Sequence, residues 1–139
     1  AHMPFDLERT YSLALGDVDG DGDLDLVFGN AGGSSGRQNR LYLNNGSGVF
    51  TDATINRLPI VPDHSYAMAL GDVDGDGQRE LVTLEGDYAS GRDGPGAAVD
   101  VWQWNGFGFG LEWRSPVSPL YQLRLTDANN DGILDIVVR

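Results

Sequence analysis

Three segments of this chain repeat one pattern at an interval of 55 residues, beginning at Tyr11, Tyr66 and Tyr121. In each segment, large apolar residues alternate with small or polar ones before an aspartate-rich loop, and a second apolar run follows that loop. Alternation with a period of two is typical of a half-buried β-strand. The pattern therefore predicts two strands joined by an acidic loop in every repeat, with the recurrent tyrosines in the core.

Two further strands are predicted in each complete repeat. In the first repeat they lie at 40–43 and 49–53, and in the second they lie at 99–104 and 107–111. The second pair is joined by Asn105-Gly106, and Asn-Gly between strands is a strong hairpin signal. We therefore predict an all-β fold of β-propeller-type, four-stranded antiparallel blades.

The repeat boundaries indicate about two and a half blades in one domain, residues 4–139. The repeat units span about 11–65, 66–120 and 121–139. Residues 1–3 resemble the remnant of an expression tag. Because closed propellers typically need at least four blades, we expect closure by self-association into a homodimer or larger ring, or membership of a longer propeller.

The three acidic loops have the composition of calcium sites. Oxygen-bearing side chains fall at loop positions one, three, five and nine, and glycine falls at position six. Calcium prefers six to eight oxygen ligands, and position seven of such loops usually contributes a backbone carbonyl. We predict up to three Ca²⁺ ions per chain, with the third site the weakest because Asn129 replaces a carboxylate. The candidate ligands are Asp17, Asp19, Asp21, Asp23 and Asp25, then Asp72, Asp74, Asp76, Gln78 and Glu80, then Asp127, Asn129, Asp131, Ile133 and Asp135.

Two other motifs fit this sequence less well. An EF-hand needs a carboxylate at position twelve and flanking helices, but position twelve is Phe28, Thr83 or Val138 and the flanks are predicted strands. Residues 32–36 match G-x-S-x-G, which requires a strand-to-helix turn and triad partners. That segment is a predicted loop, and His64 is the one histidine outside the tag remnant. We expect no catalytic residues and no enzyme activity.

Charge narrows the classes of partner. The formal net charge is −12, which opposes binding to nucleic acid phosphates. There are no cysteines, so thiolate chemistry is excluded. No apolar run is long enough to insert into a membrane.

The expected calcium affinity bears on location. Calcium-binding loops in extracellular modules bind calcium in the range of about 0.1 to 1 mM, so we expect an extracellular, periplasmic or cell-surface location.

These loops, together with Phe28-Gly29 and the segments 41–46 and 50–52, resemble the FG-GAP/VCBS repeat found in integrin α-subunit propellers. The resemblance implies blades with structural calcium on loops at one rim. It also implies extracellular recognition or adhesion, through a glycan or protein ligand. The alternative is a non-catalytic scaffold or assembly unit, or a fragment of a larger secreted protein or enzyme.

Aromatic residues crowd the last hairpin of the second repeat. Trp102 and Trp104 are expected to share one face of a strand. Packing between blades is the favoured interpretation, and a stacking platform for a sugar ring or an apolar peptide is the alternative. The cluster comprises Trp102, Trp104, Phe107, Phe109 and Trp113.

Overall fold

A computed structural model of the chain describes residues 9–32, 37–60, 64–86, 98–116 and 122–139. Ten strands and one helical turn, α1, lie within these ranges. The elements are β1 (Thr10–Gly16), β2 (Asp25–Asn30), β3 (Arg40–Asn44), β4 (Phe50–Asp52), α1 (Thr54–Arg57), β5 (His64–Gly71), β6 (Glu80–Gly86), β7 (Ala98–Trp104), β8 (Phe109–Arg114), β9 (Leu123–Thr126) and β10 (Asp135–Val138).

The strands form three antiparallel sheets that follow chain order. Blade 1 contains β1-β2-β3-β4, blade 2 contains β5-β6-β7-β8, and blade 3 contains β9-β10. This confirms the prediction of two four-stranded units and one half unit, and the sheets of the described residues do not close into a ring. The described helix, α1, has four residues and is too short and too polar to cross a membrane.

The first strands of the blades lie side by side, with β5 packed between β1 and β9. One apolar core fills the space between blades 1 and 2, where Val27 and Leu41 meet Met68, Leu81 and Trp102. A second core joins blades 2 and 3. It contains Val82, Leu84, Val99 and Val101, with Leu123, Leu125 and Ile136 packed against them. Each blade is therefore held by its neighbour through a sheet face, as in a propeller.

The structure decides between the two interpretations of the aromatic cluster for its central members. Trp102, Trp104 and Phe109 are buried in the core between blades 1 and 2, which confirms that they pack between blades. They are therefore not available to a sugar. Phe107 and Trp113 remain exposed.

Some sequence predictions were wrong in detail. Tyr11 was expected in the core, but 56% of its surface is exposed, although its ring meets Tyr66 of blade 2 edge-on at 5.9 Å. Tyr66 is half-buried, and Tyr121 lies outside the described residues. The strand predicted at 107–111 begins at Phe109, since Asn105 N–H donates to Gly108 O at 3.0 Å and closes a longer turn.

Candidate metal centre

Each acidic loop connects the first two strands of its blade, so all three occupy the same end of successive sheets. The first loop lies between Gly16 of β1 and Asp25 of β2, which are directly paired. In the second loop Gly71 is paired with Glu80, and in the third Thr126 is paired with Asp135. The strand pairing fixes both ends of every loop, and the residue at position nine therefore sits at the first ladder position.

The residue at position one organises each loop by accepting two backbone hydrogen bonds. Asp17 Oδ1 accepts from Gly20 N–H at 2.8 Å and Oδ2 accepts from Gly22 N–H at 3.1 Å. Asp72 makes the equivalent pair of bonds to Gly75 and Gly77, at 2.6 and 3.0 Å. These bonds curl the chain around the carboxylate.

Further hydrogen bonds repeat in the same register. The carboxylate at position three accepts from the N–H at position five, as Asp74 does from Asp76 at 2.9 Å. The carboxylate at position five accepts from position seven, as Asp76 does from Gln78 at 2.7 Å. Position nine reaches back to the N–H of position two, as Asp25 Oδ2 does to Val18 at 2.9 Å.

Glycine at position six provides the tight turn that was predicted. Gly22, Gly77 and Gly132 have φ values of 93°, 89° and 92°. Residues with a side chain rarely adopt this left-handed conformation. At position four the first two loops also use glycine, whereas the third uses Asn130 at φ 64°, a residue type that tolerates this region better than most.

The loop geometry brings together three carboxylates in each of the first two loops. Ligand oxygens of Asp17, Asp19 and Asp25 lie within 4.8 Å of one another. Those of Asp72, Asp74 and Glu80 do the same. A cluster of this size offers a divalent cation three anionic ligands at once, which suits the hard oxygen preference of calcium.

Other predicted ligands lie outside these clusters. Asp21 and Asp76 belong to neither set of three, although each carboxylate caps its own turn of the loop. The Asp76 carboxylate also accepts from the amides of Gln78 and Gln103, at 3.1 and 2.9 Å. The Asp23 side chain lies against Gly46 of the β3–β4 turn.

The third loop differs from the other two. Asn129 Nδ2 donates to Asp131 Oδ2 at 3.0 Å. Asn129 therefore has a nitrogen donor where Asp19 and Asp74, at the same loop position, have a second carboxylate oxygen. Asp135 accepts from Ala128 N–H at 2.9 Å, which preserves the closing contact of the other loops. The Ile133 side chain is directed towards Gly75 of the second loop, so loops two and three are in contact.

Burial and mutual repulsion act on the carboxylates of the first two loops. Burial raises the pKa of Asp25, and the nearby Asp19 and Asp21 add to the shift. Burial is also the main cause of the raised pKa of Glu80, with smaller contributions from the loop aspartates. The pKa of Asp19 is raised for the same two reasons. Without a cation, these groups therefore resist ionisation.

Glu80 is the most informative of these residues. Its side chain is fully buried. Oε2 accepts from Val73 N–H at 2.8 Å, but Oε1 has no hydrogen-bond partner in the part of the chain that the structure describes. A buried oxygen of this kind is costly unless something compensates it. Since Asp72 and Asp74 lie beside it, a divalent cation fits the site.

Sequence reasoning missed the neutral partners of these carboxylates. Asp25 Oδ1 accepts from Asn44 N–H at 2.9 Å, so β3 supports the first loop from the neighbouring strand. It also missed the ion pair between Asp100, which is fully buried, and Arg114. An isolated Asp within an apolar strand is the only sequence signal for that pair.

Comparison with known proteins agrees with this geometry. A family model described as an FG-GAP-like repeat matches residues 17–83. The match begins at Asp17, the first candidate ligand of loop one, and ends within β6. No curated protein matches the chain.

Proposed function

This chain carries an FG-GAP-like repeat at residues 17–83, and from that premise we propose that it is a calcium-binding blade module. FG-GAP repeats generally bind calcium. The first ion would be held by Asp17, Asp19 and Asp25, and the second by Asp72, Asp74 and Glu80. The role proposed for calcium is structural, and no catalytic role is assigned to any residue.

The observation that supports this proposal best is the buried Oε1 of Glu80, which lacks a described hydrogen-bond partner. A solvated acidic turn would leave its carboxylates in water, where no compensation is needed. Glu80 is instead completely buried beside two aspartates. Burying an unpaired carboxylate without a cation is expensive, so the arrangement makes physical sense when a cation is present.

The protein's own residues couple the ion to folding. Asp72 holds the loop in its curled form through Gly75 and Gly77, while Glu80 ties the start of β6 to Val73. Calcium, when bound, supplies the positive charge that these carboxylates lack. Because the unfolded chain does not assemble the cluster, binding adds to the free energy of unfolding.

The expected affinity supports a location outside the cytosol. Extracellular calcium modules commonly bind with dissociation constants of about 0.1 to 1 mM, and such sites would be empty at resting cytosolic calcium. Repeats of this family are typical of extracellular proteins. We therefore place the module in the extracellular space, the periplasm or on the cell surface.

A calcium titration by calorimetry tests the proposal. After chelation and removal of the chelator, the expected result is binding to loops one and two, with loop three weaker or silent because of Asn129. Magnesium is the matched competitor, since it prefers fewer protein ligands and keeps its waters. No heat of binding and no change in melting temperature at millimolar calcium would reject the proposal.

Recognition of a glycan or protein is a second candidate function, supported by two aromatic residues that are exposed outside the core. Phe107 and Trp113 are 60% and 50% exposed, and Arg57 lies over the Phe107 ring at 5.4 Å. Exposed aromatic rings suit the faces of sugars and apolar peptides. A glycan array with the wild type and Trp113→Ala tests this role. Binding that Trp113→Ala abolishes would support it, and the absence of any binding would favour a scaffold role.

A further inference from the structure

One face of blade 1 is apolar and open to solvent in the described residues. Leu13 and Leu15 of β1 pair directly with Phe28 and Leu26 of β2, so these four side chains share that face, called here the open face. Leu13 is 53% exposed and Leu15 is 56% exposed. Leu13 and Leu15 are two residues apart on one strand, so they form a continuous apolar surface. An exposed apolar surface of this kind usually marks an interaction site.

In blades 2 and 3, the face equivalent to the open face is covered by the preceding blade. In blade 2 the corresponding residues are Met68 and Leu70, at an interval of 55, and they pack against β1 and β2 of blade 1. In blade 3 the corresponding residues are Leu123 and Leu125, which pack against blade 2. Each apolar face therefore lies against the opposite face of the preceding blade.

Small residues on the first strand of the preceding blade make this contact possible. The covering face of blade 1 presents Ser12, Ala14 and Gly16, and that of blade 2 presents Ala67, Ala69 and Gly71. The fit leaves no room for a larger side chain at the glycines. A Cβ on Gly16 would lie 3.2 Å from Leu70 Cδ1, and one on Gly71 would lie 2.8 Å from Leu125 Cδ1.

Blade 3 departs from this rule. Its corresponding face presents Gln122, Arg124 and Thr126 where the other blades have serine or alanine, alanine, and glycine. Thr126 brings a branched side chain to the glycine position. Arg124 would place a guanidinium against leucines, and burying an unpaired charge is unfavourable. The face of blade 3 that presents Gln122, Arg124 and Thr126 therefore cannot pack well against the open face.

We propose that the open face docks a β-blade of a different polypeptide, with small residues at these three positions and glycine at the third. Arg124 and Thr126 prevent a second copy of this chain from supplying that blade. This inference concerns an assembly surface and does not depend on the calcium proposal. It also argues against one form of the self-association expected from the sequence, the head-to-tail packing of identical copies.

A complementary pair of chains tests the proposal. The receiver is Gln122→Ser/Arg124→Ala/Thr126→Gly/Leu13→Asp, in which blade 3 has the small-residue pattern at all three positions and the open face is blocked by a charge. The donor is the wild type, with its open face intact. The control donor is Leu13→Asp, which differs from the wild type at one exposed position and should keep its fold by circular dichroism.

Light scattering in saturating calcium gives the readout. Each chain by itself is expected to be a monomer of about 15.0 kDa. The mixture of receiver and wild type is expected to form a complex of twice that mass, and the mixture of receiver and control donor is expected to remain monomeric.

Two results would overturn the proposal. If folded receiver and wild type do not associate, the open face does not select small residues. If the wild type assembles by itself and Leu13→Asp abolishes that assembly, Arg124 and Thr126 do not block a second copy.

Discussion

Glu80 Oε2 accepts a hydrogen bond of 2.8 Å from the backbone N–H of Val73, and this contact joins the two ends of the second acidic loop. The Glu80 carboxylate lies in one cluster with Asp72 and Asp74, and its other oxygen, Oε1, is buried without a hydrogen-bond partner among the described residues. Asp25 and Val18 form the same contact in the first loop at 2.9 Å. In both loops, a backbone hydrogen bond therefore holds the carboxylate at position nine in place.

The carboxylates of the first loop should differ in their importance for calcium binding. Asp25→Ala is expected to remove the first site, because Asp25 belongs to the cluster with Asp17 and Asp19. Asp17→Ala should do the same and should also loosen the turn at Gly20 and Gly22. Calorimetric stoichiometry should fall by one in both variants. Asp21→Asn is the matched comparison, since Asp21 lies outside the cluster. If Asp21→Asn removes the site while Asp25→Ala leaves it intact, the ligand assignment fails.

The chelated protein should lose stability as pH rises. The pKa values of Asp25 and Glu80 are raised in the folded state, chiefly by burial. The folded protein therefore binds more protons than the unfolded chain above about pH 4, and its free energy of unfolding falls as pH rises through the folded pKa. Saturating calcium should reverse the trend, since the ion binds the ionised carboxylates. Urea denaturation between about pH 4 and 7, with and without chelator, measures both slopes. Equal slopes in the two conditions would contradict this explanation.

The third loop should gain affinity from a single substitution. Asn129→Asp replaces the amide that donates to Asp131 with a carboxylate, so that positions one, three and nine all carry carboxylates, as in the other loops. We expect a stronger third site in a calcium titration and lower stability in chelator, because three carboxylates then repel one another. Asn130→Asp is a control that adds the same charge at a position outside the predicted ligands. An identical response in both variants would indicate a general charge effect.

The joint between blades 2 and 3 should be sensitive to one methyl group. In Gly71→Ala, the new Cβ would lie 2.6 Å from Leu134 Cδ1 and 2.8 Å from Leu125 Cδ1. Overpacking of this kind typically costs about 1 to 3 kcal/mol. Gly110→Ala is the matched control, since a Cβ at Gly110 of β8 meets nothing within 4 Å. Chemical denaturation compares the two variants, and equal stabilities would show that the joint is looser than described.

Sequence periodicity predicted the blades well because strands, loops and turns each carry local signals. The interval of 55 residues and the alternation around Leu13 placed the first strands, and glycine at position six placed the loop turn. The failures arise where tertiary neighbours decide. Tyr11 was expected in the core, yet it lies where the β1–β2 register shifts, between Thr10 and Ser12, and stays largely exposed. Phe107 was assigned to a strand, but the Asn105 side chain accepts from the N–H groups of Phe107 and Gly108 and extends the turn.

The residue types of the site were predictable from the sequence, but which of those residues come together was not. Alternating oxygens identify the loop, but they do not show which of them converge. Asp21 and Asp76 alternate in register with the true cluster members and yet point into their own turns. The supporting bond from Asn44 N–H to Asp25 crosses 19 residues, and no local pattern predicts it. The mismatch at Arg124 was visible in the repeat, but its meaning required the contact between Gly71 and Leu125.

The proposed function requires that Glu80 is a calcium ligand and that its buried carboxylate destabilises the metal-free fold. Thermal unfolding of Glu80→Gln in chelator and in calcium tests it most directly, with Glu112→Gln as the control because Glu112 is exposed on β8. We predict that Glu80→Gln melts at a higher temperature than the wild type in chelator, because a buried charge is removed, and gains less from calcium. Glu112→Gln should follow the wild type in both conditions. If Glu80→Gln keeps the full stabilisation by calcium, Glu80 is not a ligand and the account is contradicted.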